Sequence, residues 1–195
     1  TIKNNIISGN DNFGLFFNWG KNTVMDNTIS NNGIGLYIGT NGNTVYHNNL
    51  ISNTKEGQGG NYLVNLLQSN DLGGNYWSDY SPNCTDINQD NFCDEPYPLK
   101  DIVKIYDDHI WIIQDGWLTT ITTPNDVTID ATNSTGINYD YSVSATHDGS
   151  SISVTCDPAS GTVFPIGITE VVCTADNGIK STFSVTVNPL PPIIN

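Results

Sequence analysis

Apolar residues in the first 53 positions come in short β-prone runs, Thr23-Val24-Met25 and Gly35-Leu36-Tyr37-Ile38 among them. Asn and Gly separate these runs, and no stretch of useful length has helical periodicity. With Thr1, Thr23 and Thr44 placed in register, the pattern repeats at spacings of 22 and 21 residues. Ile2, Val24 and Val45 then align, as do Ile7, Ile29 and Leu50, followed by Ser8, Ser30 and Ile51. One such unit cannot bury its apolar face alone, so successive turns must stack into a β-solenoid. Asn5, Asn27 and Asn48 also align. At a strand spacing of about 4.8 Å their side-chain amides are expected to bond one to the next as an asparagine ladder. Fourteen of the first 53 residues are Asn. Because Asn tolerates left-handed backbone, most of the others are expected at corners.

The pattern changes from about Leu118, where Thr, Val, Ser and Ile alternate in short runs separated by turn residues. Val127–Ile129, Tyr139–Val143, Ile152–Cys156, Glu170–Thr174 and Phe183–Val187 read as strands of a β-sandwich. The expected organisation is a β-solenoid with its cap over 1–117, a sandwich over 118–189, and a stiff Pro-rich linker or terminal strand over 190–195. Ile102–Tyr106 and Ile110–Ile113 are apolar enough to cover a solenoid end, and Trp111 and Trp117 are expected to pack there.

These repeats resemble the parallel β-helix repeats of archaeal and bacterial NosD-like proteins over about residues 1–80. The Gly73–Tyr80 segment and the acidic loop after it are similar to the conclusion of that β-helix. The resemblance implies a right-handed parallel β-helix. Its copper-binding label is not carried over, because the segment holds one histidine, His47, one methionine, Met25, and no cysteine, whereas copper prefers clustered His, Cys and Met. Cys156–Gly161, Phe164–Gly167 and Val171–Asp176 resemble the hyalin-repeat (HYR) family over about 121–189. That resemblance implies an immunoglobulin-like fold, a Cys156–Cys173 pair, and a role in adhesion or as a spacer. The expected class is therefore all-β, a short right-handed parallel β-helix followed by an immunoglobulin-like β-sandwich.

Composition narrows the chemistry. The formal charge is -14, with six lysines, no arginine and twenty acids, which opposes binding to nucleic acid or to an anionic membrane surface. No run approaches the ~20 apolar residues that span a bilayer. The cysteines fall in two local pairs, Cys84 with Cys93 and Cys156 with Cys173, the favoured one of three possible pairings. Closing the second loop contributes on the order of 3 kcal/mol. Asn83-Cys84-Thr85 and Asn133-Ser134-Thr135 are glycosylation sequons.

Asp86, Asn88, Asp90 and Asp94, with the carbonyl of Phe92, occupy positions one, three, five, nine and seven of a loop suited to Ca²⁺. Position six is Asn91 rather than Gly. Position twelve is Tyr97, which leaves Glu95, Asp101, a water or another segment to complete a shell. The same residues also suit a solvated acidic loop closed by a Cys84–Cys93 disulfide and needing no ion.

No catalytic constellation is evident. A lyase with an arginine base is excluded by the absence of arginine, and a carboxylate-pair hydrolase would have to draw on Asp11, Asp26, Glu56 or Asp71. Asp26 alone of these lies at a strand in the repeat register; the others are expected in turns. His147 beside Asp148 reads as a turn. The expectation is an extracellular, non-catalytic structural or adhesive protein of a cell-surface layer or filament, joined end to end to copies of itself or to flanking domains. The alternative is a carbohydrate-binding module using Phe16, Phe17, Trp19 and Tyr37 on exposed faces, with surface glycans as partners.

Overall fold

The computed structural model describes residues 1–60, 73–99 and 106–190. Two compact units divide at Thr1–Trp117 and Leu118–Asn195. Asp71, Asp101, Ile102–Ile105 and the final Pro191–Asn195, for which the sequence raises expectations, lie outside the described residues.

The first unit is a parallel β-helix. Its first turn is β1 (Ile2–Lys3), β2 (Ile6–Ser8) and β3 (Phe13–Phe17); its second is β4 (Thr23–Met25), β5 (Thr28–Ser30) and β6 (Ile34–Ile38); its third is β7 (Thr44–Tyr46), β8 (Asn49–Ile51) and β9 (Lys55–Gly59). They stack into three parallel sheets, β1-β4-β7, β2-β5-β8 and β3-β6-β9, and the second is extended by β10 (Tyr76–Trp77). Strand pairing follows the register set by the threonines, with Ile2 against Val24, Val24 against Val45, Ile7 against Ile29 and Ile29 against Leu50. These side chains face inward because a period of two sends alternate residues to opposite faces of a strand. Val24, Ile29, Leu36, Ile38 and Leu50 are fully buried.

The column Ile7–Ile29–Leu50 ends on the buried Trp77, which pairs with Leu50 and stacks on Tyr97 at 4.2 Å between ring centroids. Room for these rings comes from Gly57, stacked on Leu36. A Cβ there would lie 2.5 Å from Leu99 Cδ2 and 2.8 Å from Trp77 Cζ3. Beyond the rungs, β11 (Tyr97–Pro98) pairs antiparallel with β12 (Tyr106–Asp107), and Leu99 and Ile110 are buried against the same core. Trp111 packs on Phe92 at 4.5 Å, and Trp117 stacks on His47 at 5.1 Å and 3°.

The second unit is a β-sandwich. One sheet joins β13 (Thr119–Thr122), β16 (Ser144–His147) and β17 (Ser150–Ile152). The other orders β14 (Val127–Asp130), β21 (Lys180–Asn188), β20 (Gly167–Ala175) and β18 (Val154–Asp157), and β15 (Ile137–Asn138) pairs with β19 (Val163–Phe164). Phe164, Val171, Cys173, Phe183, Val185 and Val187 form its core. The expected strand Ile152–Cys156 is two strands that change sheet at Ser153. The expected strand Tyr139–Val143 is irregular. Its backbone pairs with a loop instead, since Tyr139 N–H donates to the Thr162 carbonyl and Tyr141 N–H donates to Ser160 Oγ. Tyr139 and Tyr141 still pack on the core.

Inward and outward faces of the helix should respond differently to truncation. Leu50→Ala is expected to lower the stability of the first unit by about 2–5 kcal/mol. Ser30→Ala, on the outer face, should change it by less than about 0.5 kcal/mol. Urea unfolding followed by tryptophan fluorescence measures both.

Candidate functional site

The helix turns each of its corners with a left-handed residue followed by an inward asparagine. At the corner after the first sheet, Asn4, Asp26 and His47 have φ of 57°, 54° and 54°, and each precedes a ladder residue, Asn5, Asn27 or Asn48. At the next corner, Gly9, Asn31 and Ser52 precede Asn10, Asn32 and Asn53. At the third, Lys21 and Gly42 precede Asn22 and Asn43. Asn therefore has two jobs here. Asn4 and Asn31 turn the chain, but Asp26, His47, Ser52 and Lys21 do so as well, and most of the neighbouring asparagines point inward.

These inward residues form three columns. In the first, Asn5 Nδ2 donates to Asn27 Oδ1 at 3.0 Å, Asn27 to Asn48 at 2.8 Å, and Asn48 to Asn75 at 2.8 Å. The backbone N–H of each donates to the same oxygen at 3.0–3.1 Å. The second column runs Asn10 to Asn32 to Asn53 at 2.8 and 2.9 Å, and the third runs Asn22 to Asn43 at 2.8 Å. The first column is the one expected from the sequence; the other two are not among its expectations. Their spacings, also 22 and 21 residues, carried the signal.

The amide-to-amide bonds all run in one direction, toward higher rungs, so the last amide of a column needs another acceptor; in the third column Asn43 Nδ2 donates to the Thr40 carbonyl at 3.0 Å. In the other two a carboxylate serves. The first column ends on Asp107, whose Oδ2 accepts from Asn75 N–H at 2.9 Å, Asn75 Nδ2 at 3.0 Å and Trp77 Nε1 at 2.9 Å. Asp107 is fully buried, and burial raises its pKa against the opposing pull of the bonds from Trp77 and Asn75. The second column ends on Glu56, which accepts from Asn53 N–H and Nδ2 and, at 2.6 Å, from Ser78 Oγ. Glu56 is 2% exposed, and burial raises its pKa too. The expectation that Glu56 lies in a turn is corrected: it is inside β9, facing inward to close a column. Asp11 is exposed in a turn, and Asp26 meets Lys3 at 3.5 Å and His47 Nδ1 at 3.6 Å.

The acidic loop is held by its own polar groups. Asp86 accepts from the N–H groups of Asp90 at 3.0 Å and Asn91 at 3.1 Å. Asp90 accepts from Phe92 N–H at 2.9 Å and Asn88 Nδ2 at 2.9 Å, and Asp94 accepts from Ile87 N–H at 2.8 Å. Asn91 takes the left-handed geometry, at φ 74°. The Cys84–Cys93 disulfide closes the loop, and Phe92 lies opposite Trp111. Among the described residues no three His, Cys, Asp or Glu side chains gather closely enough to hold a metal ion. The soft donors of the helix are engaged elsewhere: Met25 Sδ accepts from the Tyr46 hydroxyl at 3.0 Å, while His47 lies against Trp117.

Of the expected surface aromatics, Phe17 is buried, and Trp19 is 83% exposed. Phe16 and Tyr37 stack on each other at 4.7 Å and 14°, with Phe13 beside them. An open pocket of about 280 Å³ is lined by Asp79, Tyr80, Asn83, Cys84, Thr85 and Glu95. In the second unit, His147 Nδ1 lies 2.9 Å from Thr119 Oγ1, which also accepts from Asn177 Nδ2 at 2.7 Å. Cys156 pairs with Cys173.

Raised carboxyl pKa values fix the sign of a pH effect. The folded state holds these protons more tightly than the unfolded chain, so their contribution is greatest below the ordinary carboxylate range and is lost as pH rises through the folded values. Thermal midpoints are therefore expected to fall from about pH 4 toward neutrality, and Asp107→Asn, which keeps an acceptor for Asn75 and Trp77, should flatten that slope. Asp107→Ala strands three buried donors and should cost about 3–5 kcal/mol at neutral pH. Calorimetry of the three proteins across pH checks both outcomes.

No curated protein and no solved structure matches the chain. Residues 1–82 match the model of a family described as periplasmic copper-binding protein (NosD). Copper does not fit the residues described in that span, since Met25 Sδ accepts from the Tyr46 hydroxyl, His47 lies against Trp117, and among the described residues no three His, Cys, Asp or Glu side chains gather. Residues 1–82 are thus similar in sequence to a family of parallel β-helix type described as periplasmic.

Proposed function

We propose that the protein is an exported structural component of a cell-surface layer or filament, in which the β-helix serves as a stiff element and the sandwich as an adhesive or spacer module. The observation that carries this reading is the use of the inward polar groups: along the described columns, amides and carboxylates bond to one another and so go to holding the helix shut. Two disulfides, the acidic charge and the periplasmic description of the matching family support export. The hyalin-like motifs around Cys156 and Cys173 support the adhesive or spacer role of the second unit. Its partners are copies of the chain or flanking domains, and the site is extracellular.

The same reading gives the 84–94 loop a locking role that Ca²⁺ completes. What supports the ion is the spacing of Asp86, Asn88, Asp90 and Asp94 alone, because their carboxylates already bond backbone N–H groups. A bound ion at a hundred times its dissociation constant adds about 2.7 kcal/mol. Thermal unfolding with Ca²⁺ and with a chelator should differ accordingly, and identical midpoints would show that the disulfide and the local bonds suffice.

A second reading, carbohydrate binding, rests on Trp19, whose exposed ring offers a face to a sugar. Phe16 and Tyr37 support it less, because each covers a face of the other.

Negative-stain electron microscopy of the native protein, with and without chelator, separates these readings. Filaments or sheets that fray in chelator are the expected result. Discrete particles indifferent to chelator, together with glycan-array binding lost in Trp19→Ala, would replace the structural reading with the second one.

A further inference from the structure

The two sequons of the chain have the same three-residue pattern but different geometry. Asn133-Ser134-Thr135 forms the tip of a tight turn, with Asn133 and Gly136 paired across it and Thr132 N–H donating to the Gly136 carbonyl at 3.1 Å. The turn is anchored from below. Gly136, at φ 128°, is buried so close to β19 that a Cβ would lie 1.9 Å from the Phe164 carbonyl oxygen, and Phe164 is fully buried in the core. Above this anchor Asn133, Ser134 and Thr135 are all exposed. Asn133 Oδ1 accepts from Thr135 N–H at 2.8 Å and from the Thr135 hydroxyl at 2.6 Å. Its Nδ2 makes no hydrogen bond among the described residues.

That arrangement suits an acceptor amide. Both bonds to Oδ1 draw electron density toward oxygen, which makes the Nδ2 protons more acidic and leaves the nitrogen facing solvent. Asn83 is held differently. It ends a short 3-10 helix over Ser81–Asn83, its N–H donates to the Tyr80 carbonyl, and the next residue, Cys84, is tied to Cys93. Asn83 and Thr85 are exposed, but the carbonyl of Thr85 is engaged by Asp94 N–H, so the backbone on the far side of this sequon is tied to the acidic loop.

We propose that Asn133 is an N-glycosylation site that the folded protein presents ready-made, and that the Cys84–Cys93 disulfide closes Asn83 to the same reaction. The donor class is a polyprenyl-pyrophosphate-linked oligosaccharide. Asn133 Nδ2 attacks the anomeric carbon, the carbon–oxygen bond to the pyrophosphate breaks, the lipid pyrophosphate leaves with the bonding electrons, and one Nδ2 proton passes to a base of the transferase. No oxidant or reductant is required. In the organism this modification presupposes the export proposed above. The site itself does not, which allows the two to be tested apart.

The test uses the full, oxidised protein with a purified single-subunit oligosaccharyltransferase that accepts Asn-Xaa-Thr and its lipid-linked donor, read by intact mass and by glycopeptide mapping. The expected result is one glycan, at Asn133, with occupancy roughly tenfold or more above that at Asn83. Asn133→Gln and Thr135→Ala should abolish it, and Thr135→Ser, which keeps the hydroxyl, should retain it. Circular dichroism confirms that each variant is folded. Reduction and unfolding should open Asn83 to the enzyme. A folded protein that takes no glycan, or takes it at Asn83 and leaves Asn133 bare, would overturn the proposal. Either result leaves export untouched, since enzyme and donor are supplied.

Discussion

An asparagine side chain turned into the interior of a β-helix must find a partner for its carbonyl and for both amide protons, and the rest of this helix is arranged around that requirement. A buried amide left unpaired costs about 1–3 kcal/mol, more than a typical paired one contributes. Stacking identical residues at rung spacing solves the problem locally: one proton goes to the next rung and the other to a nearby carbonyl, as when Asn48 donates to Asn75 and to the Tyr46 carbonyl. The solution moves the difficulty to the end of each column, where a donor remains. The carboxyl oxygens of Asp107 and Glu56 meet it in two columns, and the Thr40 carbonyl accepts from Asn43 in the third. Burial of the two carboxyl groups opposes their charge, but the donors that converge on them and the aligned amides behind them offset part of that cost. Asp107 also bonds Trp77 Nε1, so the polar closure of the column and the aromatic closure of the core share one residue.

The arrangement bears on function through what it leaves outside. With the described columns and the apolar stacks such as Ile29–Leu50–Trp77 filling the interior, chemistry with other molecules falls to the outer surface, to the acidic loop and to the exposed turns. A chain with twenty acids and six lysines presents a strongly anionic exterior, which favours solubility and contacts with cations over contacts with nucleic acid. The Cys84–Cys93 and Cys156–Cys173 bonds fix one loop of the first unit and the centre of the second.

Much of the helix was legible because its constraint repeats. Thr1, Thr23 and Thr44 set the strand register, and the alignment of Asn5, Asn27 and Asn48 pointed to a column because each recurred at the rung interval. The columns through Asn32 and Asn43 carried the same signal, but the turn preference of Asn supplied a competing explanation that does not distinguish the left-handed Asn31 from the inward Asn32 beside it. The caps were not legible. Glu56 and Asp107 each occur once, Glu56 at a β9 position with no carboxylate in the turns below it, so no recurring spacing marks either as the partner of the last amide. Tyr139–Val143 alternates like a strand and packs its half-buried tyrosines on the core like one, yet its backbone partners, Ser160 and Thr162, belong to a loop that no local pattern announces. In the acidic loop the oxygen spacing was plain, while the bonds that satisfy those oxygens from within the loop depend on backbone geometry.

Directed asparagine columns hold the helix together, and hydrogen exchange of side-chain amides, measured by NMR on the intact protein, tests this. Nδ2 protons of Asn27, Asn48 and Asn75 are expected to exchange as slowly as the backbone amides of Val24 and Leu50, opening only with the helix itself, while those of the exposed Asn41 exchange at the rate of free amides. Column amides that exchange as fast as Asn41 while the backbone of the same rungs stays protected would contradict the account.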